Sequence, residues 1–188
     1  MLWIIRHGLT EWNVRHKLQG QTDIPLNDEG KAQAKAEREE LADIHLDICF
    51  CSPLARARET AMILLEGRDI PIIFDERLKE MNFGLYEGLE HSFDIPDCPI
   101  NIFFQHPERY DDQLDDEKRK GAETMEELFT RTGDFLREVI YPRLEKGEDI
   151  LIVGHGAMNS SIVCQVKHLP LAEFWSAGIP QCKRMRLL

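Results

Sequence analysis

Short apolar runs recur along the chain and predict buried strands. Such runs are too brief for helices and are typical of strands that are covered on both faces. The predicted strands cover residues 1–5, 46–51, 71–74 and 150–153, and the tail over residues 183–188 predicts a last edge strand.

Helices are predicted between the strands, over about residues 27–42, 52–67, 122–144 and 159–167. Asn27 is expected to be the N-cap of the first, because its side chain can accept a hydrogen bond from the first turn. Ser52 and Pro53 suit the N-cap and the first position of the second. Strands and helices that alternate in this way predict an α/β fold, with three α/β/α layers and a mainly parallel central sheet.

Residues of about 89–121 are less regular, with prolines at 96, 99 and 107 and many acidic residues toward the end. We expect them to form an insertion over the active-site crevice of a single domain that covers residues 1–188. Its apolar side chains predict a small core of the insertion itself, and the lining of a ligand pocket is the alternative. These side chains are Phe93, Ile95, Ile100, Ile102, Phe103 and Phe104.

The composition is that of an ordinary globular protein, with 43% hydrophobic and 30% charged residues. The net charge of −11 argues against nucleic acid or an anionic membrane as a partner, because both need a basic surface. No apolar run approaches the ~20 residues of a membrane-spanning helix, and no signal peptide is visible. The five cysteines form no Cys-x-x-Cys pair, so free thiols and a cytoplasmic location are expected.

Polar residues follow two of the predicted strands at the point where each strand ends. Arg6 and His7 come directly after the first strand, His155 follows the fourth, and Arg56 lies one turn into the second helix. Because the carboxyl ends of parallel strands meet at one edge of a sheet, we expect these side chains to converge. Together with a helix N-terminus they predict an anion pocket suited to a phosphoryl group. Two unrelated capped strand ends are the alternative.

Several motifs follow one another over residues 1–165. They are Arg6-His7-Gly8 with Thr10 and Asn13, Gln19-Gly20 with residues 23–26, residues 27–30 with Gln33-Ala34, residues 52–60, Glu80 with Gly84 and Glu87-Gly88, residues 121–124, and residues 153–156. In this order they resemble the histidine phosphatase superfamily, which includes the cofactor-dependent phosphoglycerate mutases and many small-molecule phosphatases. The resemblance spans nearly the whole chain, and its motifs are specific when taken together.

The resemblance implies a phosphoryl-transfer site around His7. His7 would be the nucleophile, and its other ring nitrogen would donate to a backbone carbonyl, which fixes the tautomer. Arg6, Arg56 and His155 would hold the phosphoryl oxygens. Neither a metal nor a cofactor is expected, since the arginines supply the positive charge.

Glu80 is the candidate general acid, because the leaving alkoxide of a phosphomonoester needs a proton. The alternative is a surface carboxylate that pairs with Arg77 or Lys79. Weaker contacts to the substrate would come from Thr10, Asn13, Gln19 and Gly20.

Three features favour a phosphatase over a mutase. The mutases carry a dense basic set for a doubly anionic substrate, whereas residues 91–117 contain Arg109 as their only Lys or Arg. Phe83 stands where those mutases have a tyrosine, and the chain ends at Leu188 without their longer tail. We therefore expect a histidine acid-type phosphatase that hydrolyses a small phosphomonoester through a phosphohistidine intermediate.

A cofactor-dependent phosphoglycerate mutase is the alternative function. A non-catalytic phospho-ligand binding protein ranks last, because such a protein would lack the nucleophile or the acid, and His7 and Glu80 are both present. The substrate and the oligomeric state are left open.

Overall fold

A five-stranded sheet forms the centre of the computed structural model, which describes residues 1–90, 94–95, 98–114, 121–176 and 178–188. Its strands are β1 (Leu2–Arg6), β2 (Ile48–Cys51), β3 (Ile72–Phe74), β4 (Ile150–Gly154) and β5 (Arg184–Arg186). Their order is β3-β2-β4-β1-β5; strands β1 to β4 run parallel and β5 is antiparallel to β1. The predicted parallel sheet and its last edge strand are confirmed.

Helices connect the strands. They are α1 (Glu11–Val14), α2 (Asp28–Leu41), α3 (Ala55–Leu64), α4 (Pro99–Gln105), α5 (Tyr110–Gln113), α6 (Met125–Phe135), α7 (Tyr141–Glu145) and α8 (Gly156–Lys167). A π-helical stretch over Leu136–Ile140 joins α6 to α7, and 3₁₀ turns cover Glu76–Leu78, Gly84–Tyr86, Pro107–Arg109 and Leu171–Glu173. Within the described ranges, every helix is too short or too polar to cross a bilayer.

The helices cover both faces of the sheet. Ile4 and Ile5 are adjacent in β1 and both fully buried, and their side chains enter different cores because strand side chains alternate between faces. Ile4 belongs to the core that contains Phe135 of α6 and Ile162 of α8. Ile5 belongs to the core that contains Leu41 of α2 and residues of α3. The three-layer α/β/α architecture is confirmed.

Side-chain caps determine where two helices begin. Asn27 accepts a hydrogen bond from the backbone N–H of Gly30 at 2.8 Å, as predicted. Helix α6 begins at Met125 and not at residue 122, because Thr124 and Glu127 form a capping box.

The prediction that Ser52 and Pro53 start α3 is wrong. The helix begins at Ala55, and Leu54 precedes it in an extended conformation without a side-chain cap. The Ser52 hydroxyl lies beside His155 instead, so a good capping residue is used at the candidate site.

The described part of residues 89–121 contributes to a third core. Ile100 and Phe103 are fully buried there together with Phe174, which comes from the C-terminal part of the chain. Within its described residues, the segment therefore lacks the separate core that was predicted, and its buried apolar side chains belong to a core that they share with residues outside the segment. Ile95 is 38% exposed, and Phe93 lies outside the described residues.

Candidate active site

The carboxyl ends of β1 and β4 lie side by side. Arg6 pairs with Gly154 in the sheet, and the N–H of His7 donates to the Gly154 carbonyl at 2.9 Å. His155 follows at once, and the centroids of the His7 and His155 rings are 5.1 Å apart. Arg56 reaches the same place from the first turn of α3. The structure thus brings together the residues that the sequence placed at strand and helix ends.

His7 is almost fully buried, and both of its ring nitrogens have partners. Nδ1 lies 2.7 Å from the carbonyl oxygen of Gly8, and Nε of Arg56 donates to Nε2 at 3.2 Å. Burial lowers the pKa of His7 well below its usual value, and the charges of Arg56 and Arg6 lower it further. The ring is therefore neutral, with its proton on Nδ1 and a lone pair on Nε2. The predicted contact with a backbone carbonyl is confirmed.

Arg56 is fully buried and holds two backbone carbonyls as well as His7. Nη1 donates to Thr22 at 3.0 Å and Nη2 donates to Gly20 at 2.6 Å. Burial lowers the pKa of Arg56 to about 10, so the guanidinium stays charged at neutral pH. Gly20 has a φ of +52°, and a Cβ there would collide with the carboxylate of Glu87, so the turn requires glycine.

Glu87 fixes the loop from which these carbonyls come. Its Oε1 accepts the N–H of Gln21 and its Oε2 accepts the N–H of Thr22, both at 2.8 Å. Oε1 also accepts the N–H of Phe83 at 3.1 Å. The carboxylate therefore ties this loop to the segment that follows Glu80.

His155 is fully buried, and its extended backbone lets α8 begin directly at Gly156, not at residue 159 as predicted. Its Nε2 lies 2.7 Å from Oγ of Ser52, and its Nδ1 has no hydrogen-bond partner among the described residues. Burial lowers the pKa of His155 well below its usual value, with a further contribution from Arg56. A buried ring nitrogen that lacks a protein partner is suited to a ligand atom.

Glu80 lies at the N-terminus of α8 and accepts three backbone hydrogen bonds. Oε1 accepts the N–H groups of Met81 and Met158, both at 2.9 Å, and Oε2 accepts that of Ala157 at 3.2 Å. Both lone pairs of Oε1 are thus engaged, and Oε2 keeps one for a proton.

The alternative in which Glu80 pairs with Arg77 or Lys79 is wrong. Each of these cations has a carboxylate partner of its own, Asp75 at 2.7 Å and Glu76 at 2.6 Å respectively. The carboxylate of Glu80 is instead directed to the helix N-terminus beside the cleft.

Arg6 adds a second positive charge to the cleft. Its Nε is buried and has no hydrogen-bond partner among the described residues. Burial lowers the pKa of Arg6, and the negative charge of Glu80 opposes this effect. A Cβ at Gly156 would lie 3.5 Å from its Cζ, so the backbone of α8 packs closely on the guanidinium. The buried N–H of Arg6 is suited to an oxyanion.

Arg131, which the sequence did not predict, fixes the backbone around Glu80. It donates to the carbonyls of Lys79 at 2.8 Å and Glu80 at 3.2 Å, and to Oε1 of Glu123 at 2.6 Å. Gln21 adds a hydrogen bond to the same Glu80 carbonyl at 3.0 Å. The sequence does not indicate this role of Arg131, because any residue type can supply the backbone carbonyls that Arg131 contacts. Its carboxylate partner Glu123 does lie in one of the motifs above.

The residues predicted to make weaker contacts with the substrate lie on another side of the cleft. Asn13, Gln19 and Gly20 line the cleft, whereas Thr10 is fully buried behind it. Thr10 donates through Oγ1 to Oε1 of Gln19 at 2.8 Å and through N–H to Oδ1 of Asn13 at 3.1 Å. Gln181, which was not predicted, also donates to this Oδ1 at 2.8 Å. Because both amide oxygens have protein partners, the amide nitrogens are left for a ligand.

The remaining lining of the cleft, whose volume is about 180 Å³, is mainly apolar. It includes Leu18, Phe83, Phe103, Phe104 and Trp175. Phe103 therefore serves both the buried core and the pocket, the two alternatives drawn from the sequence. Lys17 is the one further Lys or Arg in the described lining besides Arg6 and Arg56, and its Nζ lies 3.2 Å from Oε1 of Glu90. Neither Trp175 nor Lys17 was predicted.

A group of possible metal ligands lies away from the cleft. His45, Asp47 and Asp149 bring ligand atoms within 4.8 Å of one another. Asp149 comes directly before β4, whereas the cleft lies after it, so the group is at the opposite end of the sheet. Asp149 also pairs with the N-terminal ammonium of Met1 at 2.5 Å.

Comparison with known proteins identifies the class to which this fold and site belong. The chain belongs to the histidine phosphatase superfamily (branch 1), whose family model matches residues 2–188. It is 34% identical over 187 residues to the "Uncharacterized phosphatase PhoE" of Bacillus subtilis (strain 168), covering 98% of this chain and 82% of that protein.

A mutase is also among the relatives. The "2,3-bisphosphoglycerate-dependent phosphoglycerate mutase 2" of Gloeobacter violaceus is 27% identical over 192 residues, covering 97% of this chain and 82% of that protein. Among solved structures, Bacillus stearothermophilus YhfR superposes with a TM-score of 0.81 at 32% identity, covering 93% of this chain and 83% of that one. The resemblance drawn from the motifs is confirmed.

Proposed function

We propose that the protein hydrolyses the phosphomonoester of a small metabolite as a histidine acid-type phosphatase, with a phosphohistidine intermediate. The state of His7 carries the proposal. Its Nδ1 proton is held by a carbonyl, and its Nε2 lone pair, which accepts the N–H of Arg56 in the free protein, lies in a cleft lined by Arg6, Arg56 and Glu80. A nucleophile, positive charge and a proton donor are the elements that phosphoryl transfer to nitrogen needs.

In the first step, Nε2 of His7 bonds to phosphorus while the bond to the leaving oxygen breaks. Arg56 releases Nε2 as the substrate enters and turns this donor to a phosphoryl oxygen. Glu80 gives the proton on Oε2 to the leaving oxygen, so that an alcohol departs. The Gly8 carbonyl keeps the Nδ1 proton and stabilises the positive charge of the phosphorylated ring.

In the second step, a water molecule attacks phosphorus and the bond to Nε2 breaks. The Glu80 carboxylate takes a proton from this water and returns to its acid form. His7 regains its lone pair and inorganic phosphate leaves, so the net reaction consumes one water for each phosphomonoester.

Three side chains would hold the phosphoryl oxygens. Arg6 and Arg56 supply positive charge and His155 supplies a ring nitrogen. Before the substrate binds, the Gly20 carbonyl already holds Nη2 of Arg56, and Ser52 already holds Nε2 of His155. Preorganised donors of this kind cost little rearrangement during the reaction. Weaker contacts would come from the other side of the cleft, through Asn13, Gln19 and the backbone of Gly20, with Thr10 holding Gln19 from behind.

The charge of the lining supports hydrolysis over isomerisation. A mutase retains a substrate with both a carboxylate and a phosphate, which requires cations beyond the phosphoryl site. In the described lining of the cleft, Lys17 is the one Lys or Arg beyond Arg6 and Arg56, and it is already paired with Glu90. Arg109 is exposed and lies outside the lining, and Phe83 contributes an apolar ring.

The apolar lining supports a leaving group that presents apolar as well as polar atoms. Phe103 and Phe104 come from residues 89–121, which we propose to be an insertion in a single domain. The cysteines are all buried and free, which supports the reducing cytoplasm as the place of action.

Hydrolysis of p-nitrophenyl phosphate by the wild type and by His7→Ala tests the proposal. We expect activity in the wild type and a loss of about a thousandfold or more in the variant, which should keep the wild-type circular dichroism spectrum. Radiolabelled substrate followed by alkaline quenching should leave label on the wild type alone. Full activity in His7→Ala would overturn the mechanism.

A separate assay tests the mutase alternative. 3-Phosphoglycerate is supplied with and without 2,3-bisphosphoglycerate, and both released phosphate and isomerised product are followed. We expect phosphate release without isomerisation, and robust isomerisation would make the protein a mutase.

A further inference from the structure

The hydroxyl of Ser52 is held against the second buried histidine. Ser52 directly follows β2 and is fully buried, and its Oγ lies 2.7 Å from Nε2 of His155. Its N–H donates at 3.0 Å to the carbonyl of Val153, in the strand that leads to His155. The backbone contact and the side-chain contact therefore set the serine and the histidine at a fixed separation.

We infer that the Ser52 hydroxyl donates a hydrogen bond to Nε2 of His155 and thereby, as a positioning residue, holds this ring in the Nδ1–H tautomer. The inference deepens the proposed function and rests on it, because its consequence is a hydrogen-bond donor for the phosphoryl group.

The hydrogen bonds around Ser52 support this direction. The N–H of Leu54 donates to Oγ of Ser52 at 3.3 Å and occupies one lone pair. If His155 donated to the other lone pair, the serine proton would have no acceptor among the described residues, and Nδ1 would be buried as a bare lone pair. The opposite direction satisfies the serine proton and leaves only the Nδ1–H for a ligand. Since unmet buried groups are costly, the second arrangement is favoured.

The ring has one proton, so its position matters. Burial lowers the pKa of His155 well below its usual value, and the nearby charges of Arg56, Arg6 and Arg131 act in the same direction. A neutral imidazole has one donor nitrogen and one acceptor nitrogen. Whether Nε2 accepts the hydrogen bond from Ser52 or donates to it therefore determines whether Nδ1 offers an N–H or a lone pair to a ligand.

The tautomer decides how His155 meets a phosphoryl group. Nδ1–H can donate to a phosphoryl oxygen, whereas the other tautomer would direct a lone pair to that oxygen and repel it. His7 also carries its proton on Nδ1, but there the Gly8 carbonyl takes the proton and Nε2 is left for the substrate. The two rings thus share a tautomer and present opposite nitrogens to the substrate, one as a nucleophile and one as a donor.

A long-range ¹H–¹⁵N correlation spectrum of the unliganded protein with ¹⁵N-labelled histidine reads the tautomer directly. At neutral pH we expect His155 to show a protonated Nδ1 and a pyridine-type Nε2, with His155→Asn used to assign its signals. A protonated Nε2, or a ring protonated at both nitrogens, overturns the inference. The spectrum does not depend on turnover, so this failure would leave the proposed function standing, whereas an inactive wild type would show that the function itself is wrong.

Ser52→Ala removes the donor. We expect the His155 ring to move toward the Nε2–H tautomer, which the free side chain prefers, and kcat/KM for p-nitrophenyl phosphate to fall about tenfold. Ser161→Ala is the matched control, because this fully buried serine donates to the Met158 carbonyl at 2.7 Å and contacts neither histidine. An unchanged tautomer in Ser52→Ala, or equal kinetic losses in the two variants, overturns the inference.

A double-mutant cycle shows whether Ser52 acts through His155. In a His155→Asn background, which lacks an atom at the Nε2 position, Ser52→Ala should cost no more than about twofold in kcat/KM. A tenfold loss in that background overturns the inference, because Ser52 would then act independently of His155. If Ser52→Ala does not fold, the wild-type spectrum alone decides.

Discussion

Nε of Arg56 lies 3.2 Å from Nε2 of His7, so an N–H donor covers the attacking lone pair in the free protein. The same guanidinium holds the carbonyls of Gly20 and Thr22. One side chain thus contacts the nucleophile, fixes the neighbouring loop and supplies much of the positive charge of the cleft. A lysine has a single flexible ammonium and cannot reproduce this planar arrangement of donors.

Arg56→Lys is therefore expected to lower kcat/KM for p-nitrophenyl phosphate by about a hundredfold or more, since one preorganised donor contributes about 10²–10³ in rate. Arg58→Lys is the matched control on the same helix, because Arg58 is exposed and lies over the ring of Phe74 at 5.6 Å. Steady-state kinetics compare the two. Similar losses would show that α3 in general, and not the contact with His7, is responsible.

Glu80→Gln is expected to affect substrates according to their leaving groups. The loss should be about 10²–10⁴-fold for an alkyl phosphate such as glycerol phosphate, whose alkoxide needs a proton. It should be much smaller for p-nitrophenyl phosphate, because nitrophenolate leaves without one. The measure is the ratio of the two losses in kcat/KM, because kcat/KM reports the first step and not the hydrolysis of the phosphohistidine, which is common to both substrates. A ratio of one would contradict the role of Glu80 as the acid. Glu76→Gln, at an exposed residue that pairs with Lys79, should change neither rate.

Arg131→Met is expected to lower both stability and kcat. It leaves the partly buried carboxylate of Glu123 without its cation and releases the Glu80 backbone. We expect the free energy of unfolding to fall by about 2–4 kcal/mol, measured by urea denaturation. Arg137→Met, at an exposed residue that pairs with Asp134, should change it by less than about 0.5 kcal/mol. A wild-type kcat in Arg131→Met would show that Glu80 needs no such support.

Stability is expected to decline in mild acid because two neutral histidines are buried. Burial and the neighbouring arginines lower the pKa values of His7 and His155 in the folded protein, whereas unfolding returns them to about their ordinary value of 6.5. As the pH falls, the two rings therefore take up protons in the unfolded chain at a higher pH than in the folded protein. The contribution of the two neutral rings to the free energy of unfolding is complete above pH 6.5. It is lost as the pH falls toward the folded-state pKa values.

Urea denaturation between about pH 5 and pH 7.5 measures this effect. His7→Gln removes one of the two rings, so its free energy of unfolding should depend less steeply on pH than that of the wild type. A wild-type stability that rises in acid would contradict the neutral state of these rings.

Local patterns in the sequence were sufficient for most of the fold. Strands β1, β2 and β4 are buried on both faces, so each is a short apolar run that needs no knowledge of its neighbours to be recognised. The start of α3 could not be predicted in the same way. Serine is a good capping residue, and only the position of His155 in space explains why Ser52 is not used as a cap.

The candidate site also contains residues that the sequence predicts and residues that it does not. His7 and His155 follow parallel strands, so topology alone brings them to one edge of the sheet. Arg131, Gln181 and Trp175 could not be predicted, because they contact backbone carbonyls or side chains far away in the chain. Contacts of this kind leave no periodic or spaced signal in the sequence.

β1 lies between β4 and β5, so both of its neighbours in the sheet come from the last two strands along the sequence. Leu2 pairs with Ile150, and Ile5 pairs with Arg184. Until residues 150–154 have been synthesised, β1 has neither of the strands that flank it in the sheet, and an unpaired apolar strand of this kind is prone to aggregation. A chain that ends before Ile150 would lack the strand whose Gly154 carbonyl accepts the N–H of His7, so we expect such a chain to be inactive.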